Sequence, residues 1–164
     1  MDARELEGIY SRYHQALFTL ALSRTGHREQ AEDAVHEAFA RLCRVGLGHS
    51  SDPVSYVFSA VRNAAIDQVR RMHSSGGNGS LPESIFDVRC GHAEERAISA
   101  ERQELIAGAI SRLPVEQREA LVLRIFGGLS FAQVAQIVGV PLPTVASRYQ
   151  RALERLRERL EKLV

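Results

Sequence analysis

Residues 129–160 read LSFAQVAQIVGVPLPTVASRYQRALERLRERL and contain two helix starts separated by a glycine. Ser130 is a favoured N-cap, and Gln133, three residues later, completes the capping-box pattern. Gly139 is the residue type that most often follows a helix C-terminus, and Pro143 suits the first turn of the next helix. Two short helices joined in this way are typical of a helix-turn-helix, whose second helix enters the DNA major groove.

The second helix of this motif has two chemically different faces. Residues three and four positions apart share one face of a helix, and here one such face carries hydroxyl and guanidinium groups: Thr144, Ser147, Arg148 and Arg151. The opposite face is apolar: Val145, Tyr149, Ala152 and Leu156. Hydroxyl and arginine side chains bind phosphate oxygens and base edges. The pattern predicts duplex DNA as a partner, and a helical hairpin with a solvated arginine face is the alternative.

Length and composition are those of an ordinary globular protein. A chain of 164 residues is enough for one domain or two small ones. No apolar run is long enough to span a bilayer, and residues 1–21 are too charged for a signal peptide. We therefore predict a cytoplasmic protein without membrane insertion. Two cysteines are too few for a disulfide framework.

The net charge of +1 hides an uneven distribution. Residues 101–164 hold ten Arg plus Lys against seven acidic residues, which leaves +3 in the part that contains the helix-turn-helix. This is a modest electrostatic signal for nucleic acid. It does not predict tight DNA binding by that part alone.

The whole chain has helical periodicity, interrupted by one glycine- and serine-rich stretch. Before the stretch, apolar stripes predict helices over 4–23, 28–44 and 53–72. After it they predict helices over 95–112 and 114–126, followed by the helix-turn-helix. The sequence SSGGNGS at 74–80 is typical of a flexible connector. We predict an all-α protein with two small helical domains, residues 1–73 and 95–164, joined by a flexible linker over residues 74–94.

An acidic stripe lies on the second predicted helix. Glu29, Asp33 and Glu37 recur every four residues. Like charges at this spacing destabilise an isolated helix by about 0.2–0.5 kcal/mol per pair. With no evident internal partner, the stripe suggests an external basic one. A solvated acidic face is an equally good interpretation.

Basic and amide side chains gather on the third predicted helix. They lie toward its C-terminal end: Arg62, Asn63, Asp67, Arg70 and Arg71. Such side chains read bases or hold phosphates, and Tyr56 and Phe58, one turn upstream, could stack on unpaired bases. The alternative is that the aromatic residues belong to the core and that the arginines interact with the helix C-terminus.

Three segments, in this order, resemble the bacterial extracytoplasmic-function (ECF) sigma factors. AEDAVHEAFARLCR at 31–44 is similar to the segment that binds core RNA polymerase. SYVFSAVRNAAIDQVRR at 55–71 is similar to the segment that melts and reads the minus-10 element. Residues 111–160 are similar to the domain that reads the minus-35 element. The resemblance covers nearly the whole chain and implies a sigma region 2-like three-helix bundle followed by a sigma region 4-like helix-turn-helix.

The resemblance also implies a role for each polar cluster. Implied contacts to core RNA polymerase are Glu29, His36, Asp33 and Glu37. Implied contacts to minus-10 DNA are Tyr56, Arg62, Asn63, Asp67, Arg70 and Arg71. Implied contacts to minus-35 DNA are Thr144, Ser147, Arg148 and Arg151. The partners it implies are core RNA polymerase, promoter DNA and an anti-sigma factor.

Two other classes of function compete with this interpretation. A polymerase-independent helix-turn-helix regulator would bind an operator as a dimer, and a short leucine seam at residues 153–163 could serve that dimer. An enzyme would need a reactive site. Cys90 and His92 are the only close cysteine–histidine pair and lack the paired spacing of a zinc site. No phosphate loop or nucleophile motif is present, so we predict no catalytic residue, metal ligand or cofactor.

Overall fold

The computed structural model describes residues 3–48, 50–74 and 93–163, and within them it contains helices and loops only. The helices are α1 (Ala3–Thr25), α2 (Arg28–Val45), α3 (Pro53–Ser74), α4 (Ala93–Ser111), α5 (Val115–Ile125), α6 (Phe131–Val138) and α7 (Leu142–Leu163). The all-α prediction is confirmed, and each predicted helix is present. The predicted linker lies outside the described residues except at its ends, which are helical. No described helix has the length and apolar character needed to cross a membrane.

Helices α1, α2 and α3 pack against one another as the first bundle. Their apolar stripes meet at its centre, where Leu17, Leu20, Phe58 and Val61 are completely buried. Burying each of these side chains stabilises the fold by about 1.5–3 kcal/mol. The bundle therefore holds the outer faces of α2 and α3, which carry the polar clusters, in fixed positions.

The helix-turn-helix forms as its sequence predicts. The Ser130 Oγ accepts a hydrogen bond from the Gln133 backbone N–H at 3.1 Å, and the Ser130 N–H donates to Gln133 Oε1 at 2.9 Å. Gly139 ends α6 in the left-handed region, with φ 75°. Val134 and Val145 are buried where α6 and α7 cross. The capping box, the glycine turn and the apolar crossing are all confirmed.

A tight turn between α5 and α6 requires glycine at position 127. A methyl group there would lie 2.6 Å from the Leu123 carbonyl oxygen and 3.3 Å from Leu129 Cγ. We expect Gly127→Ala to lower the free energy of unfolding by about 1–3 kcal/mol, as overpacking of a close contact does. Urea denaturation measures this. Gly8→Ala is the control, because the space around Gly8 is open and alanine in a helix interior stabilises by about 0.5–1 kcal/mol.

The second bundle, α4 to α7, packs directly against the first. Helix α5 contacts α1, and α6 contacts α3. The buried apolar residues of the two bundles form one continuous cluster. This closed arrangement, which sequence periodicity does not predict, decides which polar side chains face solvent.

Candidate polymerase and nucleic-acid interfaces

Helix α7 presents its predicted polar face outward. Ser147 and Arg151 are exposed, and Thr144 and Arg148 are partly exposed. Within the described residues neither of these two arginines forms an ion pair. The opposite face is anchored by Val145 and Ala152, both buried, and by an edge-to-face contact between Phe131 and Tyr149 with ring centroids 5.4 Å apart. The result is a rigid helix with two arginines available to a ligand.

The acidic stripe of α2 also faces solvent: Glu29, Asp33 and Glu37 are exposed, and so is the neighbouring His36. One of its members does have a partner within the chain, because Arg71 Nη2 donates to Glu37 Oε2 at 3.0 Å. This corrects the interpretation that the stripe lacks an internal partner. The side chains of Glu37 and Arg71 are 49% and 60% exposed, respectively. An exposed ion pair of this kind contributes at most about 1 kcal/mol to stability. An external cation could displace Arg71 at little cost.

A groove of about 260 Å³ lies between α2 and α3. Leu42 and Ala60 contribute apolar surface to it, and Asn63 and Asp67 contribute polar groups. Tyr56 lines the groove and is 43% exposed. The alternative that the aromatic residues belong to the core therefore holds for the buried Phe58 but not for Tyr56.

The predicted minus-10 residues are not all equally accessible. Asn63, Asp67, Arg70 and Arg71 are exposed on the surface of α3. Arg62 is different, since only 17% of its side chain is exposed and it forms an ion pair with Glu119 of α5. In the closed arrangement α5 thus covers one of the predicted DNA contacts.

Glu119 lies at the centre of a polar cluster between the bundles and is 1% exposed. Its Oε2 accepts from Arg24 Nε at 2.8 Å and from Arg62 Nε at 2.9 Å. Its Oε1 accepts from Arg24 Nη2 at 3.1 Å. A buried carboxylate is tolerated only when it is paired and hydrogen-bonded, and two guanidinium groups meet that need here.

Arg118 is the second buried charge of this interface. Its Nε donates to the Ser23 carbonyl of α1 at 3.0 Å, and its Nη1 donates to the carbonyls of Ser111 and Leu113 at 3.1 and 3.0 Å. Burial, followed by the positive charge of Arg24, lowers the pKa of Arg118 to about 10. Arg118 therefore stays charged at neutral pH and ties α5 to the end of α1.

A third polar contact links α3 and α6. Gln133 Nε2 donates to Asp52 Oδ2 at 3.1 Å, while Asp52 Oδ1 accepts from the Ser55 backbone N–H at 3.1 Å and so caps the first turn of α3. Partial burial raises the pKa of Asp52, but the hydrogen bonds from Ser55 and Gln133 outweigh it and leave that pKa below its ordinary value. The stability contributed by the ionised Asp52 carboxylate is fully present at pH values above the ordinary pKa of an aspartate. It is lost as the pH falls through the lowered pKa.

Sequence reasoning missed Arg24, Arg118 and Glu119. A signal for the two α5 residues did exist. Arg118 lies four residues before Val122, and Glu119 lies four residues before Leu123, so both fall on the arc that those buried residues define. Charged residues on a buried arc indicate partners from another element.

No metal site is evident in the part of the chain that the structure describes. It holds no group of three or more His, Cys, Asp and Glu side chains suited to an ion. Cys43 is a free, exposed cysteine. The pair Cys90 and His92 lies outside the described residues.

Comparison with known proteins gives the family. The Sigma-70 region 2 model matches residues 9–74, and the Sigma-70 region 4 model matches residues 103–156. ECF RNA polymerase sigma factor SigM of Mycobacterium tuberculosis is 33% identical over 160 residues, which cover 94% of this chain and 76% of that protein. The chain belongs to the ECF sigma factors.

A second relative supports the same assignment, and a solved structure has the same fold. ECF RNA polymerase sigma factor SigL of Mycobacterium tuberculosis is 30% identical over 165 residues, 99% of this chain and 92% of that protein. The sigma factor RpoE of Bartonella quintana, solved in complex with the anti-sigma factor NepR, has the same fold, with a TM-score of 0.75 at 24% identity over 97% of this chain and 98% of that one.

This ECF sigma factor is an alternative sigma factor that directs transcription initiation, and it is not an enzyme. The predicted order of a region 2-like and a region 4-like part is confirmed. The matches do not favour a polymerase-independent operator-binding regulator.

Proposed function

We propose that α2 docks the chain on core RNA polymerase, that α7 reads the minus-35 element and that α3 captures the minus-10 strand. The exposed arginine face of α7, held on a buried apolar face, is the observation that carries this assignment. A recognition helix must present base-reading side chains from a rigid support. Arg148 and Arg151 meet this condition because Val145 and Ala152 fix the helix behind them.

Helix α2 is the proposed polymerase contact. Glu29, Asp33, His36 and Glu37 form an exposed surface on which the only described ion pair is the weak one to Arg71. A basic surface on the polymerase would therefore meet carboxylates that no strong internal ion pair neutralises. Charge complementarity of this kind fixes orientation and excludes wrong partners.

Helix α3 is the proposed site for the unpaired minus-10 strand. Tyr56 is exposed at the groove between α2 and α3 and offers a ring on which a base can stack. Asn63 and Asp67 line the same groove and supply hydrogen-bonding groups. Arg70 and Arg71 follow on the exposed end of the helix and suit backbone phosphates.

The closed arrangement must open before both promoter elements can be bound. Elements at minus-10 and minus-35 are about 25 base pairs apart, which is roughly 85 Å of B-DNA at about 34 Å per turn. In the closed chain α3 and α6 are in hydrogen-bond contact, with 3.1 Å between Gln133 Nε2 and Asp52 Oδ2.

We propose that the protein works in the cytoplasm and that an anti-sigma factor, like the one bound to the Bartonella quintana relative, holds it inactive.

Reversing two charges on α2 tests the docking assignment. We expect Asp33→Arg/Glu37→Arg to weaken binding to core RNA polymerase on the order of 100-fold, because like charges brought together at an interface cost several kcal/mol. Fluorescence titration of labelled chain with core polymerase measures the affinity, and transcription from a pool of genomic promoter fragments measures initiation.

Glu7→Arg/Glu116→Arg is the matched control, since both residues are exposed on other helices and the net charge changes equally. The control should bind and initiate like the unaltered chain. Equal affinities of the two double variants for core polymerase would show that α2 is not part of the polymerase interface. An unaltered chain that ignores core polymerase but binds DNA sequence-specifically would instead be an operator-binding regulator.

A further inference from the structure

Two arginines of the first bundle converge on a single oxygen atom. Arg24, in the last turn of α1, and Arg62, in the middle of α3, each place Nε within 2.9 Å of Glu119 Oε2. Only 18% and 17% of these arginine side chains are exposed, and the carboxylate between them is buried. The first bundle thus contributes both cations of the cluster, and the second bundle contributes the anion.

Opening of the chain takes the anion away and leaves the two cations behind. Two guanidinium groups close enough to share one oxygen repel each other, and water that reaches them in the open chain weakens this repulsion without removing it. An anion that bridges them removes the repulsion. Guanidinium groups bind phosphate oxygens with the same charge-assisted hydrogen bonds that they make to carboxylates.

We propose that Arg24 and Arg62 form a phosphate-binding site for the promoter strand and that Glu119 occupies this site while the chain is closed. The inference rests on the proposed function, and it adds Arg24 to the DNA-binding surface. Arg62 and Asn63 are consecutive residues of α3 and point about 100° apart around its axis, so a strand that contacts Asn63 reaches the pair by turning around the helix. The Glu119 carboxylate takes the place of a backbone phosphate.

The carboxylate and the phosphate exclude each other at this site. The closed chain and the DNA-bound chain are therefore alternative states. Only open molecules bind, so the apparent affinity for DNA is the intrinsic affinity multiplied by the fraction of molecules that are open. Arg118 adds to this competition. Its hydrogen bond to the Ser23 carbonyl holds α5 next to Arg24.

Binding of a labelled 15-nucleotide oligo-dT to the full chain, followed by fluorescence anisotropy, tests the competition. A site that binds backbone phosphates does not recognise a particular base sequence, so a homopolymer is a suitable probe. We expect Glu119→Gln to bind the oligonucleotide about fivefold or more tightly than the unaltered chain, because a larger fraction is open. Glu116→Gln removes the same charge from an exposed position of α5 and should have a much smaller effect. Equal effects of the two substitutions would overturn the competition.

A second substitution identifies the phosphate site itself. In the Glu119→Gln background, Arg24→Gln should weaken oligonucleotide binding and reduce the slope of log affinity against log salt by about 0.7, the loss of one single-strand phosphate contact. Arg28→Gln, at an exposed position on α2, is the matched control. The proposal is wrong if Arg24→Gln and Arg28→Gln change affinity and slope equally.

The complex with core polymerase gives an independent measurement that does not require Glu119→Gln to fold. Arg24→Gln should shorten the lifetime of the promoter complex relative to Arg28→Gln, with core affinity unchanged. Equal lifetimes would contradict the phosphate site in the open chain. Failure of the unaltered chain to bind core polymerase would instead reject the proposed function, and the oligonucleotide experiment would still decide on the site.

Discussion

Alanine at both Arg148 and Arg151 is expected to remove transcription from promoters that depend on a minus-35 element, while the affinity for core polymerase stays unchanged. Each bidentate contact from an arginine to a guanine contributes about 1–3 kcal/mol of discrimination. Loss of two such contacts reduces promoter affinity on the order of 100-fold or more. Transcription in vitro, with binding to core polymerase measured in parallel, separates DNA recognition from docking.

Arg102→Ala/Arg157→Ala is the control for this experiment. Both residues are exposed, and neither belongs to the polar face of α7 that contains Thr144. This control removes the same charge and should leave promoter choice intact. Identical transcript patterns from the two double variants would show that the α7 arginines hold DNA only through general electrostatic attraction.

Replacement of Glu119 by leucine should open the free chain. Leucine removes the carboxylate and leaves Arg24 and Arg62 against an apolar surface with no anion. Removal of one partner from a buried ion pair costs about 3–5 kcal/mol. The chain can avoid this cost if the bundles separate and water reaches the two arginines. We therefore expect a larger radius of gyration in small-angle X-ray scattering, together with a lower unfolding temperature.

Glu116→Leu places the same side chain on an exposed position of α5 and should leave the scattering unchanged. A Glu119→Leu chain as compact as the unaltered one would mean that the apolar contacts between the bundles suffice for closure. Those contacts form part of a continuous core, so the measurement compares the electrostatic and the apolar contributions to the closed arrangement directly.

The elements that sequence predicted are those that depend on neighbours along the chain. The hydrogen bonds of the α6 capping box join residues three positions apart, and the apolar and polar faces of α7 follow from a period of 3.6 residues. Side-chain type and spacing are sufficient for both. The same reasoning placed Asn63 and Arg151 on exposed surfaces, where the structure has them.

The cluster at Glu119 could not be predicted in this way. Its hydrogen bonds reach Arg24, 95 residues away, and Arg62, 57 residues away. No local pattern specifies contacts between bundles at such separations. For the same reason the sequence suggested that Glu37 lacks an internal partner, although Arg71 pairs with it across 34 residues. Residue type alone indicated that Arg62 faces DNA, whereas packing of α5 covers it.

The hydrogen bond between Asp52 and Gln133 joins two helix caps, and each cap is complete without it. Asp52 Oδ1 continues to hold the Ser55 N–H, and Gln133 Oε1 continues to hold the Ser130 N–H, when the two side chains part. The Ser55 and Ser130 amide groups thus keep their hydrogen-bond acceptors whether or not the two side chains are in contact. Evolution can therefore strengthen or weaken closure at this contact without altering how either helix begins.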